Sequence, residues 1–159
     1  MLRFSKKADY ALMAMKHLAL RGVHESSSAR EIAAMYDIPI ELMAKVLQRL
    51  VRRGLLASHQ GTRGGYELAR RPTQISVADV IQAIDGPVTV TACSTDENQC
   101  EQFAKCNVRD PLWKVRERIL SALGECTIAE LAADPAPGTP GTTTPATTSR
   151  PAVLHTQHL

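Results

Sequence analysis

Residues 28–53 read SAREIAAMYDIPIELMAKVLQRLVRR and predict two short helices joined by a tight turn. Ser28 and Glu31 have the spacing of a capping box, which begins the first helix and carries it to about Tyr36. Residues 37–39 then turn the chain, and a second helix runs over residues 39–53 before Gly54 ends it. Two such helices have the shape of a helix-turn-helix.

The second helix has two chemically different faces. Its apolar face consists of Met43, Val46, Leu47 and Leu50. Its opposite face consists of Glu41, Lys45, Gln48 and Arg52. A polar face is usually just the solvated side of a surface helix. In a helix-turn-helix, however, that side enters the major groove of DNA.

A predicted β-hairpin follows and favours the second explanation. Residues 55–58 and 66–69 have strand-like patterns on either side of a glycine-rich, cationic tip over residues 59–65. A hairpin behind a recognition helix is a wing, which can bring Arg63 against phosphates or into the minor groove. The predicted DNA-binding residues are therefore Arg30, Lys45, Gln48, Arg49, Arg52 and Arg63.

Charge is distributed unevenly along the chain. Residues 1–75 hold 13 Lys and Arg against 6 Asp and Glu, a net charge of +7. Residues 76–159 hold 6 against 10, a net charge of −4. A basic half joined to an acidic half predicts a polyanion-binding module attached to another function.

Three cysteines lie in a polar stretch between two helix-like segments. Cys93, Cys100 and Cys106 have six and then five residues between them, so a loop can fold all three sulfurs onto one centre. Thiolates are the ligands that zinc and iron–sulfur clusters select. Ordinary core packing is the alternative, but the surrounding polar residues are typical of a surface loop. Cys126, at the start of the last helix, is interpreted as a packing cysteine.

The remaining segments complete the predicted architecture. Residues 5–20 form a first helix, and capping spacings at residues 76–79 and 127–130 begin two short ones. The predicted fold is mainly α with a small β-hairpin wing. A winged helix-turn-helix domain occupies residues 1–75, a cysteine loop and a long helix occupy residues 76–133, and a disordered Pro- and Thr-rich tail occupies residues 134–159.

The long helix follows Asp110 and Pro111 and carries a broad apolar stripe. Trp113 and Leu120 widen this stripe beyond what one small domain needs to bury. Its central residues are Leu112, Val115, Ile119 and Leu123.

The compartment is predicted from features that the chain lacks. No run of eighteen apolar residues occurs, and the charged start does not have the pattern of a signal peptide. We therefore expect a cytoplasmic protein without a membrane partner. In a reducing compartment, four cysteines favour metal or redox use over a disulfide framework.

In this order, the features resemble those of the Rrf-type winged-helix regulators over roughly the first 133 residues. The most specific matches are GGYELAR at residues 64–70 and the set of Cys93, Cys100 and Cys106. The family includes repressors of iron–sulfur cluster assembly of the Isc and Suf types, the nitric-oxide sensor NsrR and iron-responsive relatives.

The resemblance implies that the three cysteines bind an iron–sulfur cluster, with 2Fe–2S favoured over 4Fe–4S. It implies a homodimer that binds a palindromic operator in double-stranded DNA, as a repressor controlled by the cluster. The spacing between the first two cysteines fits the Suf-type branch, whose targets are cluster-assembly genes. The implied dimerisation residues are Leu112, Val115, Ile119 and Leu123.

The fourth ligand is a point where this sequence departs from the Isc type. Arg109 stands where Isc-type members carry a histidine. NsrR-like members use an aspartate from the first helix of the partner subunit, and Asp9 stands at the matching place. An acid near a helix N-terminus is also favoured by the helix dipole alone, so both roles of Asp9 stay open.

Other functions compete with a cluster-controlled repressor of assembly genes. A nitric-oxide or iron-responsive repressor would use the same residues, and zinc or a thiol–disulfide switch could occupy the cysteines. The histidines at positions 17, 24, 59, 155 and 158 pair with no cysteine or carboxylate in a catalytic motif, so an enzyme is not predicted. The basic first half and the wing argue against an electron carrier.

Overall fold

The computed structural model describes residues 4–22, 24–62, 64–89, 101 and 103–134. It confirms the predicted mainly helical fold with one two-stranded antiparallel hairpin. Single 3-10 turns lie over Pro72–Gln74 and Phe103–Lys105. The other elements are α1 (Lys6–Arg21), α2 (Ala29–Met35), α3 (Ile40–Arg52), β1 (Leu56–His59), β2 (Gly65–Leu68), α4 (Val77–Asp85), α5 (Arg109–Glu125) and α6 (Ile128–Ala133).

Capping side chains begin most of the helices, as the sequence predicts. Reciprocal capping boxes form at α2, α4 and α6. At α2, the amide of Ser28 donates to Glu31 Oε2 at 2.7 Å, and the amide of Glu31 donates to Ser28 Oγ at 3.2 Å. Each box satisfies two backbone N–H groups that the helix itself cannot. Local sequence therefore defines where these helices start.

Helix α1 lies at the centre of the core and contacts α3, α4, α6 and β2. Three fully buried alanines, Ala8, Ala11 and Ala14, line the inner face of α1. Small side chains let neighbouring helices approach closely, and larger ones here would overpack the core by about 1–3 kcal/mol. Met15 and Leu18 are also fully buried and add roughly 1.5–3 kcal/mol each through the hydrophobic effect.

A second, smaller cluster joins α5 to this body. Val77, Ile81 and Val88 form its buried part, and Leu120, Leu123 and Cys126 pack against them. This contact confirms the packing interpretation of Cys126. It also places Leu123, predicted at a dimer interface, against its own chain. No described residue of α5 is fully buried.

Several predicted features lie outside the described residues: Arg63, Cys93, Cys100 and residues 135–159. The strand boundaries differ slightly from prediction. The first strand starts at Leu56, because the amide of Leu55 donates to Leu50 O at 3.0 Å to close the turn after α3. In the part of the chain that the structure describes, no helix is long and apolar enough to span a membrane.

Candidate nucleic-acid interface and cysteine segment

Helix α3 presents the two faces that its sequence predicts. Met43, Val46, Leu47 and Leu50 are buried, with at most 3 % of each side chain exposed. Glu41, Lys45, Gln48 and Arg52 are exposed and form one outward stripe, which we call the α3 stripe. Arg49 is exposed at its edge. The interior therefore holds α3 by one face and leaves a mostly cationic face to solvent.

The turn between α2 and α3 fixes the position of that face. Asp37 adopts a left-handed conformation with φ of 52°, and the amide of Ile38 donates to Ala33 O at 2.9 Å. Ile38 is itself buried and anchors the turn in the core. Aspartate tolerates this backbone conformation better than most residues. The helix-turn-helix geometry thus rests on Asp37, Ile38 and the buried face of α3.

A groove of about 410 Å³ runs along the other edge of α3. Leu42, Val46 and Ile84 supply apolar side chains to its lining. Lys7, from the first turn of α1, lines it together with Lys45, Gln48, Arg49 and Arg52. Among the described residues, no acidic side chain lines this groove. Lys7 was missed by sequence reasoning, because no local pattern shows that α1 begins beside α3.

The wing is fixed to the helix-turn-helix at its base. β1 and β2 pair in antiparallel register, with Leu56 opposite Leu68 and His59 opposite Gly65. Outside the hairpin, Ser27 and Tyr66 exchange two backbone hydrogen bonds of 3.0 and 2.8 Å. The hairpin therefore continues into the segment that leads to α2.

A small polar cluster supports that junction from behind. The Ser27 hydroxyl is buried, accepts from Arg21 Nη1 at 2.6 Å and lies 3.4 Å from His17 Nε2. The other ring nitrogen of His17 lies 3.3 Å from the Tyr36 hydroxyl. Burial, and then the charge of Arg21, lower the pKa of His17, while Glu31 opposes them. Burial also raises the pKa of the Tyr36 hydroxyl.

A cavity of about 680 Å³ separates the wing tip from the start of α2. It is lined by Arg21, Glu25, Ser26, Ser28, Glu31, Thr62 and Gly64. Thr62 and Gly64 flank Arg63, which lies outside the described residues. Arg30 is exposed in the first turn of α2. The predicted DNA-binding residues of α2 and α3 are thus at the surface, and the position of Arg63 stays a prediction.

Of the three predicted cluster cysteines, only Cys106 lies in the described part. Its thiol is half-buried and free, and α5 begins three residues later at Arg109. Arg109, at the position of the Isc-type histidine, pairs through Nε with Asp110 Oδ1 at 3.0 Å. Among the described residues, no group of three His, Cys, Asp or Glu side chains could hold a metal ion.

Asp9 lies close to the segment that leads into the cysteine stretch. It lines a cavity of about 790 Å³ together with Asp85, Val88 and Thr89. Asp9 is exposed, and its carboxylate makes no hydrogen bond or salt bridge with any described residue. Asp85, by contrast, accepts from the amide of Ser5 at 2.9 Å and from its hydroxyl. Of the two aspartates that line this cavity, Asp9 is therefore the one whose carboxylate has no partner among the described residues.

The first half of α5 carries exposed apolar side chains. Trp113 and Val115 are each 44 % exposed, and Val108, just before the helix, is 51 % exposed. Leu112 and Ile119 are half-buried. The guanidinium of Arg116 lies over the Trp113 ring at 5.3 Å from its centroid. The predicted apolar stripe thus divides along the helix, with Leu120 and Leu123 packed on the chain's own core and Trp113 and Val115, nearer the start of α5, exposed.

A recognition helix with a cationic outer face and a hairpin fixed beside it define a winged-helix transcriptional regulator. The chain belongs to the Rrf2 family, because the family model described as "Iron-dependent Transcriptional regulator" matches residues 4–134. The relatives are transcriptional regulators and not enzymes, which confirms the prediction from the sequence.

Three similar proteins illustrate the relationship. The HTH-type transcriptional regulator IscR of Xenorhabdus nematophila is 34% identical over 131 residues, which cover 82% of this chain and 79% of that protein. The HTH-type transcriptional regulator NsrR of Shouchella clausii is 27% identical over 131 residues, covering 82% and 88%. The structure of CymR, the global cysteine regulator of B. subtilis, superposes with a TM-score of 0.68 at 28% identity, covering 83% of this chain and 97% of that one.

Proposed function

We propose that this Rrf2-family regulator is a cytoplasmic homodimer that binds a palindromic operator in double-stranded DNA and represses genes under the control of an iron–sulfur cluster. Genes for cluster assembly, of the Suf or Isc type, are the proposed targets. The observation that carries the proposal is the order of elements: a cationic winged helix-turn-helix, then three cysteines, then a helix with an exposed apolar side.

The DNA-binding surface is the α3 stripe with Arg49, Arg30 and Arg63. Exposed cations on one face bind phosphates, since neutralising the backbone charge releases condensed counterions. The groove cation Lys7 extends this surface onto α1. Because the wing is hydrogen-bonded to the segment before α2, its tip has a fixed base from which Arg63 can reach the duplex.

The proposed cluster ligands are Cys93, Cys100, Cys106 and Asp9. Three thiolates leave one position of an iron–sulfur cluster for another ligand, and a carboxylate there makes release of the cluster easier than a fourth cysteine would. The free thiol of Cys106 and the unengaged carboxylate of Asp9 fit this donor set. When bound, a cluster of the 2Fe–2S type, or alternatively 4Fe–4S, supplies sensitivity to cluster supply, oxygen, nitric oxide or iron.

Asp9 also bears on which subunit supplies the fourth ligand. Thr89 lines the same cavity as Asp9 and precedes Cys93 by four residues. An extended chain spans up to about 3.5 Å per residue, so this connection reaches at most roughly 14 Å. A ligand from the same chain therefore fits the length of this connection. The resemblance to NsrR-like proteins favours the partner subunit.

Holding the cysteines together would control the position of α3 through α4. Ile84 of α4 lines the groove along α3, and the far side of α4 packs against α5 through Val77 and Ile81. The cysteine stretch connects the end of α4 to the start of α5. Restraining that connection restricts how α4 and α5 sit relative to each other, and hence how the two α3 helices of a dimer are spaced. A coupling of about 1–3 kcal/mol corresponds to a 5- to 150-fold change in DNA affinity.

The proposal is tested with protein purified without oxygen. The visible spectrum identifies a cluster, since zinc and thiols are colourless. Cys93→Ala, Cys100→Ala and Cys106→Ala should each lose the absorbance, while the matched control Cys126→Ala should keep it, because Cys126 packs in the core. A full cluster in any of the first three variants, or equal affinity of cluster-bound and cluster-free protein for the same DNA, would contradict the proposal.

A thiol switch without a cluster is the second candidate. It is favoured by the free thiol of Cys106. The same preparation distinguishes the two. A colourless protein whose DNA affinity changes on treatment with peroxide and recovers with a thiol reductant supports the switch. A coloured protein whose affinity changes with nitric oxide or with iron chelation supports cluster-based sensing of those signals.

A further inference from the structure

The first turn of α3 carries two exposed side chains, Ile40 and Glu41. Ile40 is 44 % exposed, although it is a large apolar residue. Glu41 is exposed and makes no hydrogen bond or salt bridge with any described residue. Lys45 lies four residues later, at the spacing of a helical ion pair, yet the two side chains do not pair in the structure. Neither burial nor ion pairing accounts for these two residues, and the helix dipole is the one stabilising role open to Glu41.

Glu41 is also the only acidic member of the α3 stripe. It stands at the N-terminal end of that stripe, ahead of Lys45, Gln48 and Arg52. The N-terminal residues of a recognition helix are the ones that reach base edges in the major groove. An ionised carboxylate accepts hydrogen bonds but donates none, so it is repelled by phosphates and by acceptor groups on bases. It suits this position only where a base presents a donor.

We propose that Glu41 and Ile40 select the operator sequence, Glu41 by accepting a hydrogen bond from the N4 amino group of a cytosine and Ile40 by contacting the methyl group of a nearby thymine. This inference rests on the proposed DNA-binding function. Glutamate pairs with cytosine N4, and apolar side chains contact the thymine methyl, in the major-groove code.

Selectivity comes as much from rejection as from attraction. Guanine O6 and thymine O4 are acceptors, so either one opposite Glu41 would face the carboxylate without a proton between them. An unpaired charge buried in the groove costs several kilocalories per mole in desolvation. Glu41 therefore discriminates against the wrong base, whereas the cations of the α3 stripe bind any sequence. Consecutive residues of a helix point about 100° apart, so the two side chains contact different base pairs.

The test uses the full chain and a library of duplexes with a randomised 26-position core, selected by binding at fixed salt. The wild type should enrich a half-site with a cytosine and a nearby thymine. Glu41→Gln should move the preference from cytosine to adenine, the base that glutamine reads, by about tenfold. Replacing that thymine by uracil, which lacks the methyl group, should weaken the wild type several-fold and leave Ile40→Ala unaffected.

Glu125→Gln is the matched control, because it removes one exposed carboxylate from α5 and should enrich the same half-site as the wild type. If Glu41→Gln and Glu41→Ala both enrich the wild-type half-site, the assignment of Glu41 is wrong. A lowered thermal midpoint with unchanged base preference would show that Glu41 only stabilises the start of α3 through the helix dipole. A wild type that enriches no duplex overturns the DNA-binding function together with this inference.

Discussion

Gly65 and Ser27 are in backbone contact: a Cβ atom on Gly65 would lie 2.8 Å from both the carbonyl carbon and the carbonyl oxygen of Ser27. The same Cβ atom would lie 3.2 Å from the amide nitrogen of Ser28, which takes part in the capping box of α2. No side chain fits there without moving one backbone away from the other. The glycine therefore allows the wing and the start of α2 to form one unit.

Gly65→Ala should separate the wing from that segment. The clash is with backbone atoms and cannot be relieved by rotating a side chain, so we expect the free energy of unfolding to fall by about 1–3 kcal/mol. The hydrogen bonds between Ser27 and Tyr66 should weaken as well. Urea unfolding measures the first effect, and faster amide hydrogen exchange at Ser27 and Tyr66 measures the second.

Gly124→Ala is the control for that experiment. Gly124 lies in the last turn of α5, and in the described part of the chain no atom beyond its chain neighbours and its own helix backbone lies within 4 Å of a Cβ atom built there. Alanine is favoured over glycine in a helix by about 0.5–1 kcal/mol, so this change should leave stability unchanged or raise it slightly. Equal destabilisation by the two alanines would contradict the role given to Gly65.

The sequence predicted those parts of the molecule that depend on neighbours along the chain. Capping spacing determined the start of α2, and helical periodicity determined which face of α3 is buried. Contacts between distant segments were not predicted. The pairing of Ser27 with Tyr66, and the position of Lys7 beside α3, depend on how buried faces pack together. A sequence pattern does not show which buried faces pack against each other.

The predicted dimer stripe shows the same limit in a single helix. Leu123 and Val115 both belong to the predicted apolar stripe. Leu123 packs on Val77, Ile81 and Val88, whereas Val115 is exposed. Periodicity shows that a face is apolar but not what covers it. For the cysteine stretch, the sequence predicts a different part of the answer. Spacing identifies the set of donor atoms, but the choice of metal and of fourth ligand depends on three-dimensional geometry.

Stability should fall below about pH 6.5 because of His17. Burial and Arg21 lower the pKa of His17 in the folded chain, whereas the unfolded side chain titrates near its usual value of 6.5. As pH falls through 6.5, His17 becomes protonated in the unfolded chain while it stays neutral in the folded chain. The free energy of unfolding therefore decreases. His17→Gln should reduce the loss of unfolding free energy between pH 7.5 and pH 5.5, measured by urea titration.

His24→Asn provides the comparison for that measurement. His24 is exposed and has a φ of 81°, a left-handed conformation that asparagine adopts readily. This variant should keep the pH dependence of the wild type. If His17→Gln retains the full loss of stability at pH 5.5, then His17 is not the group responsible.

Val115→Glu should weaken the proposed dimer. Val115 is 44 % exposed, so the change adds no charge to the chain's own core. At an interface between two subunits, the same carboxylate would be buried without a partner, which costs several kilocalories per mole. Sedimentation equilibrium should show at least a tenfold increase in the dimer dissociation constant, with an unchanged helical circular dichroism spectrum.

Leu123→Ala separates packing within the chain from packing between chains. Leu123 contacts the small core cluster, so its truncation should lower the free energy of unfolding by about 1–3 kcal/mol. Made in the Val115→Glu background, it should have this effect on the monomer. An unchanged monomer stability would mean that Leu123 contributes to the dimer and not to the chain's own core.

Lys7→Ala should lower the salt dependence of DNA binding. Lys7 shares the groove along α3 with Lys45, Arg49 and Arg52, and none of the acidic residues that the structure describes lines that groove. Each phosphate contact contributes about −0.9 to the slope of log affinity against log salt concentration. Fluorescence anisotropy with a fluorescein-labelled duplex, between 50 and 300 mM salt, should therefore show a slope flatter by roughly one unit for Lys7→Ala, and likewise for Arg52→Ala.

Lys114→Ala is the matched charge control for the salt series. Lys114 is exposed on α5 and does not line the groove, so its removal changes net charge equally without removing a contact to the duplex. Long-range charge effects alone would reduce the slope equally in all three variants. A direct phosphate contact by Lys7 requires that the slope change for Lys7→Ala and Arg52→Ala but not for Lys114→Ala. Identical slopes for the wild type and Lys7→Ala would confine the DNA-binding surface to α2, α3 and the wing.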